Sequence, residues 1–112
     1  MHEYPVTLRI IDVASDSARE NGAEKVKKIK LVMGEDCGYL ADSIALYFDI
    51  IAAGTLCEGA ELCFEYIKPQ LRCKKCGNLF LRKPFVFTCP DCDGDGEPTE
   101  IGREFYLDSI EI

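Results

Sequence analysis

The sequence predicts an α+β fold interrupted by a small metal-binding insert. Two observations carry this. Apolar spacing switches between a helical and a strand period from residue 4 to residue 67, and a strand period returns at 104–112. Between those last two strands, residues 69–101 hold four of the seven Cys and four of the five Pro, with many turn residues and no sustained period. At 112 residues the chain is one domain or two small ones, and about two-thirds of its unfolded surface can be buried. A (β/α)8 barrel, which needs about 250 residues, is excluded.

Residues 4–21 read as a helix. Tyr4, Leu8, Ile11 and Ala18 fall on one stripe, and Ile10, Val13 and Ala14 widen it. Pro5 suits the first turn, where a missing N–H is harmless, and Asn21-Gly22 is a C-terminal stop. Residues 25–33 alternate, with Ile29, Leu31 and Met33 on one side and Lys28 and Lys30 on the other, as in a half-exposed strand. Gly34 to Gly38 is a turn. Residues 39–53 return to helical spacing, with Leu40, Ile44, Tyr47, Phe48 and Ile51 facing inward and Gly54 as the stop. Residues 60–67 alternate through Leu62, Phe64 and Tyr66, and 104–112 form the last strand.

Lys plus Arg number 13 against 20 Asp plus Glu, a net charge of -7. That sign disfavours DNA or RNA as the main partner and suits basic partner proteins and metal cations. The longest apolar stretch is well short of the ~20 residues that span a bilayer. Met1-His2-Glu3 lacks the basic and apolar regions of a signal peptide, so a cytoplasmic location is expected. An odd cysteine count in that reducing compartment favours metal ligation over a disulfide framework.

Cys73-x-x-Cys76 and Cys89-x-x-Cys92 lie 12 residues apart. A two-residue spacing lets one tight turn present two thiolates to a single ion while backbone N–H groups point at the sulfurs, and two such turns complete a tetrahedron. Phe80–Phe87 is the expected hairpin between them. A segment of about 33 residues cannot build a sufficient apolar core, so a zinc ion also meets its need for stability. The competing reading is a redox dithiol, but a thioredoxin-type motif sits beside a βαβ pattern that this segment lacks. Four Cys leave no open position for water, which makes the zinc structural.

Cys37, Cys57 and Cys63 have no partners at metal spacing; Cys63 falls in a strand as a small buried or half-buried residue, and Cys37 in a turn. The acidic run Asp91, Asp93, Asp95, Gly96 echoes the start of an EF-hand loop, but the twelfth position is Gly102, not Glu, and a solvated turn is the better reading.

The one histidine is His2. The Met1 α-amine, the His2 amide nitrogen and the His2 imidazole form a chelating set of fused small rings suited to Ni(II) or Cu(II), with Glu3 alongside. Met1 is expected to remain, because its removal generally needs a small second residue. The bland reading is a terminus that frays. No phosphate loop, nucleophile–base pair or open metal site is present, so no catalysis is expected.

Met1-His2-Glu3 opening an amphipathic helix resembles the HypA-type hydrogenase-maturation nickel metallochaperones. The resemblance runs on through Gly34-Glu35, Gly54-Thr55, Glu58-Gly59-Ala60-Glu61-Leu62, the paired CxxC, Gly102-Arg103-Glu104 and Ser109-Ile110-Glu111. It implies two helices on a three-stranded sheet, a discontinuous nickel-binding domain of residues 1–68 and 102–112, and a zinc-ribbon-like insert at 69–101. It also implies Ni(II) as cargo on Met1, His2 and Glu3, and structural Zn(II) on Cys73, Cys76, Cys89 and Cys92. The partners it implies are a HypB-type GTPase and the large subunit of [NiFe]-hydrogenase, and in some members urease maturation proteins, with no nucleic acid and no membrane. Tyr4-Pro5, Cys57, Cys63 and the acidic loop after Cys92 depart from the family pattern without removing a ligand, and bear on partner choice. The other function class is a zinc-ribbon adaptor that binds protein or nucleic acid through the basic half of the insert: Lys68, Arg72, Lys74, Lys75, Arg82 and Lys83. Asp91, Asp93, Asp95 and Glu97 offset that patch within the same segment.

Overall fold

The structure is a computed structural model and describes residues 3–112. Its elements are α1 (Glu3–Glu20), β1 (Lys28–Gly34), α2 (Ala41–Ile51), β2 (Glu61–Ile67), β3 (Gln70–Cys73), β4 (Leu79–Leu81), β5 (Gly96–Pro98) and β6 (Phe105–Glu111). The α+β class and the helix–strand order follow the apolar periods. Two three-stranded sheets form, in the orders β2-β1-β6 and β4-β3-β5. The chain divides into two compact units, residues 1–32, 39–65 and 106–112, and residues 33–38 and 66–105. Among the described residues, no helix is long and apolar enough to cross a membrane.

In the first unit α1 buries Glu3, Thr7, Ile10, Ile11, Ala14, Ser15 and Ala18. Those positions follow the three- and four-residue steps of a helix face. The stripe lies off the one expected: Tyr4 (47% exposed), Leu8 (40%) and Val13 (38%) fall outside it, whereas Thr7 and Ser15 are inside. Both hydroxyls are buried because both are bonded. Thr7 Oγ1 donates to the Glu3 carbonyl at 2.6 Å, and Ser15 Oγ lies 3.5 Å from Cys57 Sγ. Cys57 Sγ in turn donates to the Ile11 carbonyl, and burial pushes its thiol pKa up while Ser15 opposes the shift, so it is an inert core residue.

From β1 the core takes Ile29, Leu31 and Val32, and from α2 Ile44 and Phe48; Met33, also buried, falls in the second unit. The expected alternation of β1 holds only at its start. From Leu31 onward both faces are buried. Lys28 pairs with Glu61, and Lys30 with Glu65 and Asp108, all at 3.8 Å, placing the basic side chains of the middle strand against acids of both edges. Leu40, expected to face inward, is 67% exposed because it is the N-cap of α2 and precedes the buried stripe. Helix α1 meets α2 through Tyr4 and Tyr47, whose rings lie edge to face at 5.6 Å.

In the second unit the Phe80–Phe87 segment folds back only at its tip, where Lys83 and Val86 form an antiparallel bridge around Pro84-Phe85, and not as a paired hairpin over its whole length. Strand β4 instead pairs back on β3, antiparallel, with Leu71 opposite Phe80, and β3 pairs with β5 on its other side. Each CxxC therefore sits in its own loop. The first joins β3 to β4, and the second is flanked by the Thr88–Asp95 bridge. The loop Gly34–Gly38 belongs to this unit, and its Asp36 carboxylate takes a two-pronged ion pair from Arg82 at 2.7 and 3.0 Å. That guanidinium holds the Asp36 pKa below its ordinary value, against a smaller opposing effect of burial.

Gly34 and Gly102 meet backbone to backbone: a Cβ built on Gly34 falls within the Gly102 carbonyl, and one on Gly102 lies 2.7 Å from Pro69 Cα. Neither neighbour is a side-chain tip that turns aside. Gly34→Ala is expected to destabilise the protein by about 1–3 kcal/mol, the usual range for overpacking, read as a lower urea midpoint at unchanged slope.

Candidate metal centre

The sulfurs of Cys73, Cys76, Cys89 and Cys92 lie within 4.8 Å of one another. Cys73 Sγ is 3.4 Å from Cys92 Sγ, and Cys76 Sγ is 3.7 Å from Cys89 Sγ. The edge of a tetrahedron with Zn–S bonds of about 2.3 Å is about 3.8 Å, so the donor set fits one zinc-sized ion.

The two loops are built alike. In the first, the Cys73 N–H donates to the Asn78 carbonyl and the Gly77 N–H to the Cys73 carbonyl. In the second, the Cys89 N–H donates to the Gly94 carbonyl and the Asp93 N–H to the Cys89 carbonyl. The residue after each second cysteine has positive φ: Gly77 at 78° and Asp93 at 61°. Asp is among the few side chains that tolerate this region, which explains one acid of the loop as a turn residue.

Backbone amides aim at the sulfurs. Lys75 and Cys76 N–H groups both lie 3.4 Å from Cys73 Sγ. The Cys76 amide is the leading reason that the Cys73 thiol is lowered to about 6, with Lys75 and Cys92 helping and burial opposing. The Gly94 amide favours the Cys92 thiolate, but Cys73, burial, Cys76 and Cys89 together carry that thiol up to about 12. Cys76 is raised too: the Asn78 amide lowers it, and burial and the neighbouring sulfurs outweigh that. Cys73 thus favours its thiolate, while Cys76 and Cys92 favour their protons until a cation joins the sulfurs.

Gly94, in the acidic run expected to be a solvated turn, lies against the sulfurs. A Cβ on it would lie 2.7 Å from Cys73 Sγ, 2.8 Å from Lys75 Cβ and 3.3 Å from Cys92 Sγ. Gly96 is similar, with Phe80 Cζ at 2.6 Å. Their signal in the sequence is the Asp-Gly-Asp-Gly alternation following the second CxxC.

Of the N-terminal set, Met1 and His2 lie outside the described residues. Glu3 opens α1, is 8% exposed, and its Oε2 accepts the Leu40 N–H at 3.1 Å. Leu40 caps α2 without a side-chain hydrogen bond, so the Glu3 carboxylate supplies an anion at that helix N-terminus. Cys63 donates to Glu61 at 2.9 Å and lies in β2, half-buried as expected.

Comparison with known proteins bears on the whole chain. A hydrogenase maturation factor HypA of Caldanaerobacter subterraneus is 42% identical, aligned over 100% of this chain and 99% of its own length. One of Dehalococcoides mccartyi is 36% identical over 100% of this chain and 94% of its own. The solution structure of a HypA protein superposes with a TM-score of 0.74 at 26% identity, covering 100% of this chain and 96% of that one. That of the Ni metallochaperone HypA from Helicobacter pylori gives 0.66 at 26% identity, covering 98% and 96%. The family model described as hydrogenase/urease nickel incorporation, metallochaperone, HypA, matches residues 1–112, and the chain belongs to that family.

Proposed function

We propose that this chain is a nickel carrier, not an enzyme, that holds Ni(II) at its N-terminus and delivers it during [NiFe]-hydrogenase maturation in the cytoplasm. The match of the entire chain to a nickel-incorporation family carries the reading. Met1-His2-Glu3 at the start of α1 supports the place. The proposed ligands are the Met1 amine and the amide and imidazole nitrogens of His2, with Glu3 beside them. The Glu3 carboxylate holds the Leu40 N–H, so the tripeptide grows from a fixed root at the start of two helices. In the proposed division of labour, residues 1–68 and 102–112 carry nickel, and 69–101 carry Zn(II) on Cys73, Cys76, Cys89 and Cys92. Bound zinc supplies a tetrahedral crosslink with no open coordination position. The proposed partners are a HypB-type GTPase and the hydrogenase large subunit, and urease maturation is a second destination that the family description names.

Zinc content is expected to depend on both the sulfurs and the backbone that lies against them. Cys76→Ala should lose the ion and unprotect the amides of residues 69–101 in hydrogen exchange while α1 and α2 stay protected. Gly94→Ala should weaken zinc by about 10–100-fold in a chelator competition, as changes beside a metal's ligands commonly do. Acid should release the ion, since protons compete for the thiolates. The loss should steepen below the Cys73 value of about 6, where even the most acidic sulfur of the metal-free set takes its proton. An ordered metal-free insert would contradict this.

Nickel binding is expected to need the free terminus. The α-amine, with an ordinary pKa of about 8, must shed a proton to coordinate, and an N-terminal extension turns it into an amide. Titration of zinc-loaded protein by calorimetry should show specific Ni(II) binding abolished by the extension and by His2→Ala, with zinc content and fold unchanged. Glu3→Gln keeps an acceptor for Leu40 and should act more mildly. Equal binding by the extended protein would move the nickel site to the cysteines.

Partner docking is expected on α1 beside that terminus, where Arg9, Asp12 and Asp16 are exposed. Reversing these charges should weaken binding to the GTPase in surface plasmon resonance and leave both metals in place. Tight, salt-sensitive binding to DNA or RNA would instead favour the adaptor reading.

A further inference from the structure

We propose that the insert carries a second docking site, distinct from the α1 surface: the open edge of β4 and the adjoining Pro84-Phe85 turn take up an extended, acidic–apolar segment of another protein as an added strand. The edge comes first. Strand β4 has a partner, β3, on one side only. The Arg82 N–H donates to the Pro69 carbonyl and the Cys73 N–H to the Asn78 carbonyl, which places the Leu71–Phe80 pair in bonding register between them. The backbone N–H and C=O groups of Leu79 and Leu81 therefore point away from β3, along the free edge. Their side chains are 42% and 50% exposed. Proteins ordinarily blunt such edges, and strand addition is a standard way to use one.

The turn beside it is the second observation. Lys83 and Val86 form an isolated bridge around Pro84-Phe85. Phe85 has φ 60° and is 95% exposed. After a proline this is the position where a turn favours glycine. A phenyl ring there is disfavoured by the backbone and gains nothing from burial, which marks it as a contact residue. Next to it a groove of about 360 Å³ is lined by Leu81, Val86, Thr88 and Pro90, with Lys83 and Asp93.

Charge identifies the occupant. Residues 68–88 carry Lys68, Arg72, Lys74, Lys75, Arg82 and Lys83 and no Asp or Glu. Among the described residues, Lys74, Lys75 and Lys83 make no ion pair. A strand with alternating apolar side chains and carboxylates answers both the edge and the lysines. A second copy would bring the same basic stretch onto itself. A nucleic acid has no peptide backbone to pair with the open edge of β4, and its phosphate at every step is disfavoured by a chain of net charge -7.

The test is selection of a random short-peptide library on the zinc-loaded full-length protein, then anisotropy of the resynthesised peptides. Peptides alternating apolar residues with Asp or Glu should be enriched, and should shift the Leu79 and Leu81 amide resonances. Phe85→Gly should weaken them at least about tenfold while zinc content is unchanged and the melting temperature equal or higher, because glycine relieves the turn. Lys83→Glu should weaken them as well. The proposal is overturned if no such peptides emerge, if Phe85→Gly binds as well as the native chain, or if that variant loses zinc or melts lower, which makes Phe85 structural. It is equally overturned if the surface proves to hold an oligonucleotide more tightly, or a second copy by sedimentation.

Discussion

The crowding of four sulfurs into one small space is the constraint around which the insert is arranged. Thiols within 4.8 Å of one another do not all ionise readily without a cation between them: backbone amides of Cys76 and Lys75 bring the Cys73 thiol down to about 6, whereas against the Gly94 amide the neighbouring sulfurs and burial carry Cys92 up to about 12. The same sulfurs make up most of the insert's interior. Its buried cluster is Leu71, Cys73, Phe80 and Cys89, with Cys92 packed against it. Two apolar side chains do not stabilise a three-stranded sheet of this size, so an ion that joins the sulfurs stands in for the missing core. The glycines follow from that economy of space. Gly94 lets the chain lie on the sulfurs and Gly96 lets it lie on Phe80, both at distances a side chain would forbid.

The first unit is stabilised by ordinary means. Its core is aliphatic, from Ile11 and Ile29 to Ile44 and Phe48, and no buried side-chain nitrogen or oxygen among the described residues lacks a partner. The polar groups that do enter are tied to backbone or to sulfur, which keeps their burial from being costly. Glu3 is the case with functional weight. Leu40 offers α2 no side-chain cap, and a carboxylate from the first turn of α1 takes its place. The start of one helix is thereby fixed to the start of the other.

What the sequence disclosed, it disclosed where the cause is local. The CxxC spacing is a property of a tight turn, and the apolar periods are properties of single elements, so the metal centre and the α+β order were legible. Readings failed where a residue's fate depends on something distant. Thr7 and Ser15 look like surface residues until the Glu3 carbonyl and Cys57 Sγ are seen to accept them. Phe80–Phe87 looks like a self-contained hairpin, but only Lys83 and Val86 bridge within it and β4 takes β3 as its partner. Gly94 looks like a solvated loop residue because its neighbour across space, Cys73, is 21 positions away. Periodicity also carries no information on which edge of a stripe is buried, which is why Tyr4, Leu8 and Leu40 were placed inward.

The two proposed metal environments differ in what must break for an ion to leave. An ion at the four sulfurs is part of the insert's core, so its departure and the loosening of residues 69–101 are one event. An ion on the Met1 and His2 nitrogens is held by residues that precede the anchor at Glu3. A partner can displace those ligands in turn while the Glu3–Leu40 hydrogen bond, and with it the relation of α1 to α2, stays intact. A carrier needs that asymmetry, because cargo must exchange on a scaffold that does not. Protonation acts on both sites in the same direction, but through different groups: the imidazole and amine at the terminus, the thiolates in the insert. Protonating the terminal nitrogens leaves the Glu3–Leu40 hydrogen bond untouched, whereas protonating the sulfurs removes the crosslink proposed to order the insert.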